Sequence, residues 1–294
     1  MGGKRMRSMA ALLLLAVVWG LSIPATKLGL QTLPPLTLTA LRFALAVPLL
    51  LPFMVGRGQM AWRELPSVAA LGLLGVSFGQ VAQALGVAGT SASVGTIISA
   101  TIPIFVVIFA AIRLKQPVSG IQQVGLLAAF VGIALVALDG QTSALLQASP
   151  SGVAWMLLSA IAIGFYYVWS VELAAKYGTG PVAAWSTLFG FLAMLPWAGW
   201  EMWQVPFQVS AEGIAAAVYL GAVVTVAGLL LWLNLLRTVP ASTAASVQYL
   251  QPVIGITASA MIFGDRLGVL FAAGTILVLC GLALTVRVRG DRHT

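Results

Sequence analysis

Charge is what this sequence has least of. Asp, Glu, Lys and Arg together make up 7% of its 294 residues, where a water-soluble domain carries about 25%. Twenty-two such side chains, 15 basic and 7 acidic, are too few to solvate the surface of a chain this long, so that surface must face lipid. Cysteine is almost missing as well, and the single Cys280 excludes an intramolecular disulfide framework. The one histidine, His293, sits in the tail. No His-Glu-x-x-His pair, phosphate-cradling loop with its Lys, or Gly-x-Ser-x-Gly elbow occurs. Intramembrane aspartyl chemistry would need two buried carboxylates, and none lies mid-run, Glu172 standing at the inner end of its own. Catalysis, a metal centre and a cofactor are therefore not expected.

What is present is apolar sequence in long runs. A helix needs about 20 mainly apolar residues to cross a hydrocarbon core, and ten such runs can be read: 9–30, 36–55, 67–87, 91–112, 119–138, 151–173, 182–200, 213–235, 241–263 and 268–286. Turn chemistry or charge separates them, as at Leu33-Pro34-Pro35, Gly56-Arg57-Gly58 and Gly264-Asp265-Arg266. Strands of a membrane barrel would be half as long and alternate in polarity. The expected fold is an all-α bundle of ten membrane-spanning helices.

The basic residues orient it. With the N-terminus inside, Lys4, Arg5, Arg7, Arg57, Arg63, Arg113, Lys115, Lys176, Arg237, Arg287, Arg289 and Arg292 all fall on the cytoplasmic side, and Arg266 alone falls outside. One missed span would invert every loop after it, so the asymmetry supports the count as well as the direction. Both termini are expected in the cytoplasm, with 287–294 as a short tail. The net charge of +8 is spread a few residues per loop and forms no patch, so nucleic acid is not an expected partner. The lipid bilayer is. The run after Lys4-Arg5-Met6-Arg7 is too long for a signal peptide and lacks a small-residue cleavage pattern, so it reads as a retained span.

The two halves repeat. A shift of 149 carries Gly72 onto Gly221, Gly79 onto Gly228, Ser93 onto Ser242, Pro103 onto Pro252, Gly125 onto Gly274 and Gly132 onto Gly281; a shift of 148 carries Phe43 and Pro48 onto Phe191 and Pro196. The glycines recur on one helix face and read as close-packing positions. Residues 1–139 and 151–286 thus form two five-helix units. Five is odd, so the second enters the membrane from the opposite side, which gives inverted repeats around a central cavity. Folds of that kind bind substrate near the midplane and alternate its access.

Candidate functional residues are those costly in lipid. Lys27 and Arg42 are the only ionisable groups well inside spans, and both fall in the outer half of the bilayer. They can draw a carboxylate into a cavity; equally, Lys27 can snorkel to the surface and Arg42 can pair with backbone carbonyls, Asp139 or Asp265. No acid lies mid-membrane, where proton- and sodium-coupled carriers keep one, so facilitated or exchange transport is expected. Hydroxyls and amides gather near the paired prolines: Thr96, Ser99 and Thr101 before Pro103, and Gln248, Tyr249 and Gln251 before Pro252. They either line a cavity or serve helix contacts. Gln80 and Gln83 share a face of the third span. Trp155, Ser159, Ala162, Tyr166 and Trp169 form one stripe on the sixth. Trp19, Tyr166 and Tyr249 suit an amphipathic pocket or a packed core, and Trp197, Trp200 and Trp203 suit the interfacial belt.

These residues resemble the EamA-type branch of the drug/metabolite transporter superfamily over nearly the whole chain. The likeness lies in Val18-Trp19-Gly20 with Lys27, Leu41-Arg42-Phe43, the small-residue stretch ending at Pro103 with its copy at Pro252, Gly164-Phe165-Tyr166-Tyr167, and Gly264-Asp265-Arg266-Leu267. The resemblance implies a bacterial inner-membrane carrier exporting amino acids, aromatic ones included, or other small metabolites. Multidrug efflux or a channel on the same fold is the alternative, and a non-transporting scaffold a third. A monomer is the expected unit. The family's acidic residue after the fourth span is absent here: the chain reads Arg113-Leu-Lys115-Gln-Pro117.

Overall fold

The computed structural model describes residues 2–54, 60–113, 115, 119–142, 148–228, 231, 250–265 and 267–290. Among these residues every regular element is a helix. The first span is α1 (Gly2–Gly20) and α2 (Ser22–Gly29), and the second is α3 (Pro35–Leu50). The third is continuous but changes its winding, from α4 (Leu65–Leu71) through a π-helical segment (Gly72–Phe78) to α5 (Gly79–Ala88). The fourth breaks into α6 (Ala92–Ser99) and α7 (Ile102–Arg113), followed by α8 (Gly120–Thr142). The second half runs α9 (Pro150–Tyr177), α10 (Thr179–Gln204), α11 (Ala211–Val218) with its π-helical continuation (Tyr219–Ala227), α12 (Leu250–Phe263) and α13 (Val269–Gly290).

Six stretches are long and apolar enough to cross a membrane: Ala10–Gly29, Pro35–Phe53, Trp62–Ala88, Ala92–Arg113, Pro150–Tyr177 and Thr179–Gln204. They match the first four, the sixth and the seventh expected spans. The other four expectations coincide with shorter apolar helices at Gly120–Val136, Ala211–Ala227, Leu250–Phe263 and Val269–Gly281. Large apolar side chains cover the outside, among them Leu127, Trp203, Val269 and Ile276, all more than 60% exposed. In water such a surface would be an aggregation liability; in a bilayer it is the solvated face.

Glycine sets how the helices meet. A Cβ on Gly132 would lie 2.6 Å from the Gly274 carbonyl oxygen, and one on Gly274 would lie 2.5 Å from that of Gly132. Gly281 meets the Gly125 carbonyl in the same way. Numbers rise along α8 as they fall along α13, so these repeat-equivalent helices pack antiparallel with their backbones in contact. The third and sixth spans use the same device. Gly75 faces Tyr166, Gly79 faces Ala162 and Ile163, Gly86 faces Met156 and Gly89 faces Gly152, again in antiparallel order. Ala162 and Tyr166 of the stripe on α9 therefore lie against a glycine face, while Trp169 packs on Phe109 and Phe165.

The two π-helical segments occupy equivalent places. A shift of 149 carries residues 72–78 onto 221–227, inside Tyr219–Ala227. Pro48 and Pro196 also recur within α3 and α10. Gly72 docks on Ser186 and Gly190 of α10, while Gly221 docks on Arg42 and Leu45 of α3. Each third helix thus lies on the second helix of the other half.

Candidate functional site

Arg42 organises the polar interior. It sits about two turns into α3, whose first residue is Pro35, fixed in φ and needing no N–H partner there. Its Nε donates to the Thr225 hydroxyl at 2.9 Å and its Nη1 to the Gln80 side-chain oxygen at 2.9 Å. Arginine only donates, which fixes the Gln80 amide with its oxygen towards the guanidinium. Thr225 in turn donates to the Leu220 carbonyl at 2.8 Å, five residues back. In an ordinary α-helix a threonine reaches three or four residues back; the wide π turn brings the fifth into reach and leaves the oxygen's lone pairs to Arg42.

A narrow recess opens beside this cluster. Thr26 of α2, Leu38 and Thr39 of α3, Gln80, Gln83 and Ala84 of α5, and Leu220 of the π segment line it with Arg42. It has room for little more than a water molecule. Gln80 and Gln83, three apart, share one face. The Thr26 and Thr39 hydroxyls donate to Ser22 and Pro35 of their own helices, at 2.8 and 2.7 Å, which keeps their lone pairs free to accept. Among the described residues no carboxylate lines the recess. Among the described residues Arg42 spends two of its five N–H groups on the protein, so three remain for a ligand. A guanidinium fork held on one side is suited to a carboxylate.

The structure disperses several other candidates. Lys27 turns away from the recess and caps the end of α5, its Nζ 3.0, 3.4 and 2.6 Å from the carbonyl oxygens of Val87, Ala88 and Thr90. Asp265 is no partner of Arg42: it accepts from the Ser93 N–H at 3.1 Å, at the start of α6. Lys27 and Asp265 therefore bracket one turn, residues 90–93, with opposite charges. Tyr166 hydrogen-bonds Ser186 at 2.9 Å behind Gly75, and Trp19 donates to the Val224 carbonyl at 3.2 Å against Gly228. Neither lines the recess.

On the fourth span Thr96 and Thr101 are buried and bond their own helix, at Ala92 and Ile98. Ser99 is half-buried at the end of α6. The helix breaks at Ala100 and Thr101, which puts Pro103 second in α7, where a missing N–H does no harm. Pro252 is buried near the start of α12. Gln248 and Tyr249 lie outside the described residues.

Three contributors escape a reading of the sequence. Thr39 had a signal, being three residues before Arg42 and so on its face. Thr26 and Thr225 had none, because only packing decides which hydroxyl meets the guanidinium. Glu201, near the end of α10, accepts from both the N–H and the hydroxyl of Thr37, at 2.7 and 2.9 Å. It ties the end of α10 to the first turn of α3, where a negative charge suits the helix dipole.

Known proteins align along this whole architecture. An Archaeoglobus fulgidus protein named as an uncharacterized transporter is 29% identical, covering 97% of this chain and 100% of its own. An Escherichia coli protein named a probable amino-acid metabolite efflux pump is 28% identical over 93% of each chain. A Streptantibioticus cattleyicolor protein named a probable terminal-alkyne amino-acid exporter is 26% identical, over 97% of this chain and 95% of its own. A protein solved by crystallography, 19% identical, shares the fold with a TM-score of 0.62 over 96% of this chain and 98% of that one. The family described as EamA-like transporters matches twice, at residues 6–138 and 150–287, the two halves that the glycines and π turns already relate. With both copies in place and lipid-facing helices around them, this membrane protein belongs to the EamA-like transporter family.

Proposed function

We propose that the protein exports small carboxylate-bearing metabolites, amino acids or their derivatives, across the bacterial inner membrane by alternating access to the recess at Arg42. One observation carries this reading: a guanidinium within the bilayer, held by Gln80 and Thr225, with donors to spare and no acid beside it. A retained intramembrane charge of this kind marks a substrate path by default. Its sign also speaks against efflux of lipophilic cations.

The reading takes 1–139 and 151–286 as two inverted five-helix units, ten spans in all, with 287–294 as a tail and both termini inside. The antiparallel glycine seam of α8 and α13 supports inversion, as does the recurrence of the π turn. The ion pairs Arg113–Glu172 and Lys176–Glu64, each 2.9 Å, lie at the ends taken as cytoplasmic. Gln83 belongs to the binding surface; Lys27, Trp19 and Tyr166 hold the surrounding helices.

Counterflow in proteoliposomes tests the reading. Labelled leucine or phenylalanine outside should be taken up faster when unlabelled amino acid is trapped inside. A channel gives no such trans-stimulation. Movement of lipophilic cations with no movement of any amino or organic acid would refute the assignment.

A further inference from the structure

Resting on the carrier reading, we infer that the recess at Arg42 selects a substrate that crosses as a net monoanion, so that the membrane potential itself expels it.

The recess holds one fixed positive charge and no negative one. Every acid of the chain is accounted for elsewhere or lies outside the spans' middles. Glu64 and Glu172 pair with Lys176 and Arg113, Glu201 bonds Thr37 and Asp265 bonds Ser93. Glu212 stands in the first turn of α11, Asp139 near the end of α8 and Asp291 in the tail. Residues 229–249 contain no Asp or Glu, so the ninth span brings no carboxylate to the recess either.

A zwitterionic amino acid would satisfy Arg42 with its carboxylate and then need an anionic partner for its ammonium. The recess offers only neutral acceptors, the Gln83 amide and the Thr26 and Thr39 hydroxyls. Loaded with a zwitterion, the site keeps its +1; loaded with a monoanion, it becomes neutral. In a low dielectric an uncompensated charge is costly, so the loaded and closed state favours the monoanion. The fitting class is a monocarboxylate whose nitrogen is masked or missing, such as an N-acyl amino acid or a 2-oxo acid. Leu38, Ala84 and Leu220 give it an apolar wall.

The energetic consequence follows from completing the cycle. The protein's own charges return to where they began, so the net charge moved is the substrate's. With the interior negative, each 100 mV favours outward movement of a monoanion by about 50-fold in concentration ratio. No proton-binding acid is then required, and the spans have none in their middles.

The test uses the full chain in proteoliposomes loaded separately with labelled N-acetyl-L-phenylalanine and L-phenylalanine. A potassium gradient with valinomycin imposes an inside-negative potential. The expected result is at least tenfold faster efflux of the N-acetyl compound at 100 mV than at zero, with L-phenylalanine slower and indifferent to potential. Arg42→Gln should abolish the preference, while Arg42→Lys keeps the voltage response at lower affinity; monodispersity in detergent confirms that both fold. Faster efflux of L-phenylalanine than of the N-acetyl compound, unaffected by potential, overturns the inference and leaves the carrier reading standing. If neither compound moves, the inference falls, and the carrier reading falls with it only where leucine counterflow is absent as well.

Discussion

Arg42 and Thr225 show how far single residues can be understood from their neighbours. An arginine in an apolar run announces itself, and so does a pair of glutamines on one face. Thr225 does not, because its value rests on a turn geometry that apolar composition leaves open. Thr225→Val keeps the shape, removes the acceptor for Arg42 Nε and frees the guanidinium to rotate. A lost hydrogen bond to a charged group is worth about 1.5–3 kcal/mol, so the apparent KM for a transported carboxylate should rise about tenfold or more with little change in maximal rate. An unchanged KM in a transport assay would return Thr225 to helix packing. Lys27 teaches the opposite lesson. It was as legible as Arg42, yet three carbonyls of the α5 terminus and the next turn take up its charge, and nothing in the sequence announced that helix end beside it.

At the scale of elements, glycine periodicity was the informative signal. The shared register across both halves predicted packing faces, and α8 with α13 and α5 with α9 use them as such. What stayed hidden was which helices pair. Spacing gives a face but no partner, and the π turns at 72–78 and 219–227 look like any other apolar helix in the sequence. The hydroxyls of the fourth span were open between cavity and contact, and Thr96 and Thr101 bond their own backbone. Gly132→Val would force branched carbons into the Gly274 carbonyl and Val278. Overpacking costs about 1–3 kcal/mol, and here it also parts a backbone seam. Thermal unfolding in detergent should show a lower Tm than the wild type, whereas Gly120→Ala, with open space around it, should leave Tm unchanged.

For the whole molecule, polar links at one end tie the two halves together. At the side taken as external, Glu201 holds Thr37 and Thr32 bonds Ser210 at 2.9 Å, each joining the first half to the second. Glu201→Ala removes two charge-assisted bonds and should shift the equilibrium towards an outward-open state. With Thr39→Cys as reporter in a Cys280→Ser background, labelling by an impermeant maleimide from outside should quicken about tenfold. Equal labelling with and without Glu201 would show that the contact is no latch. Loop charges and span lengths had made the lipid-facing bundle readable; these links depend on which loop ends meet, and no local pattern carries that.

The shift that superposes the two π turns also sets Val76 opposite Thr225, and the shift of 148 sets Gly190 opposite Arg42. The wide turn exists twice and the basic cluster once. One turn geometry thus serves two kinds of contact: Thr225 accepts from Arg42, whereas its counterpart Val76 packs on Gly190, where an added Cβ would lie 2.7 Å from the Val76 side chain.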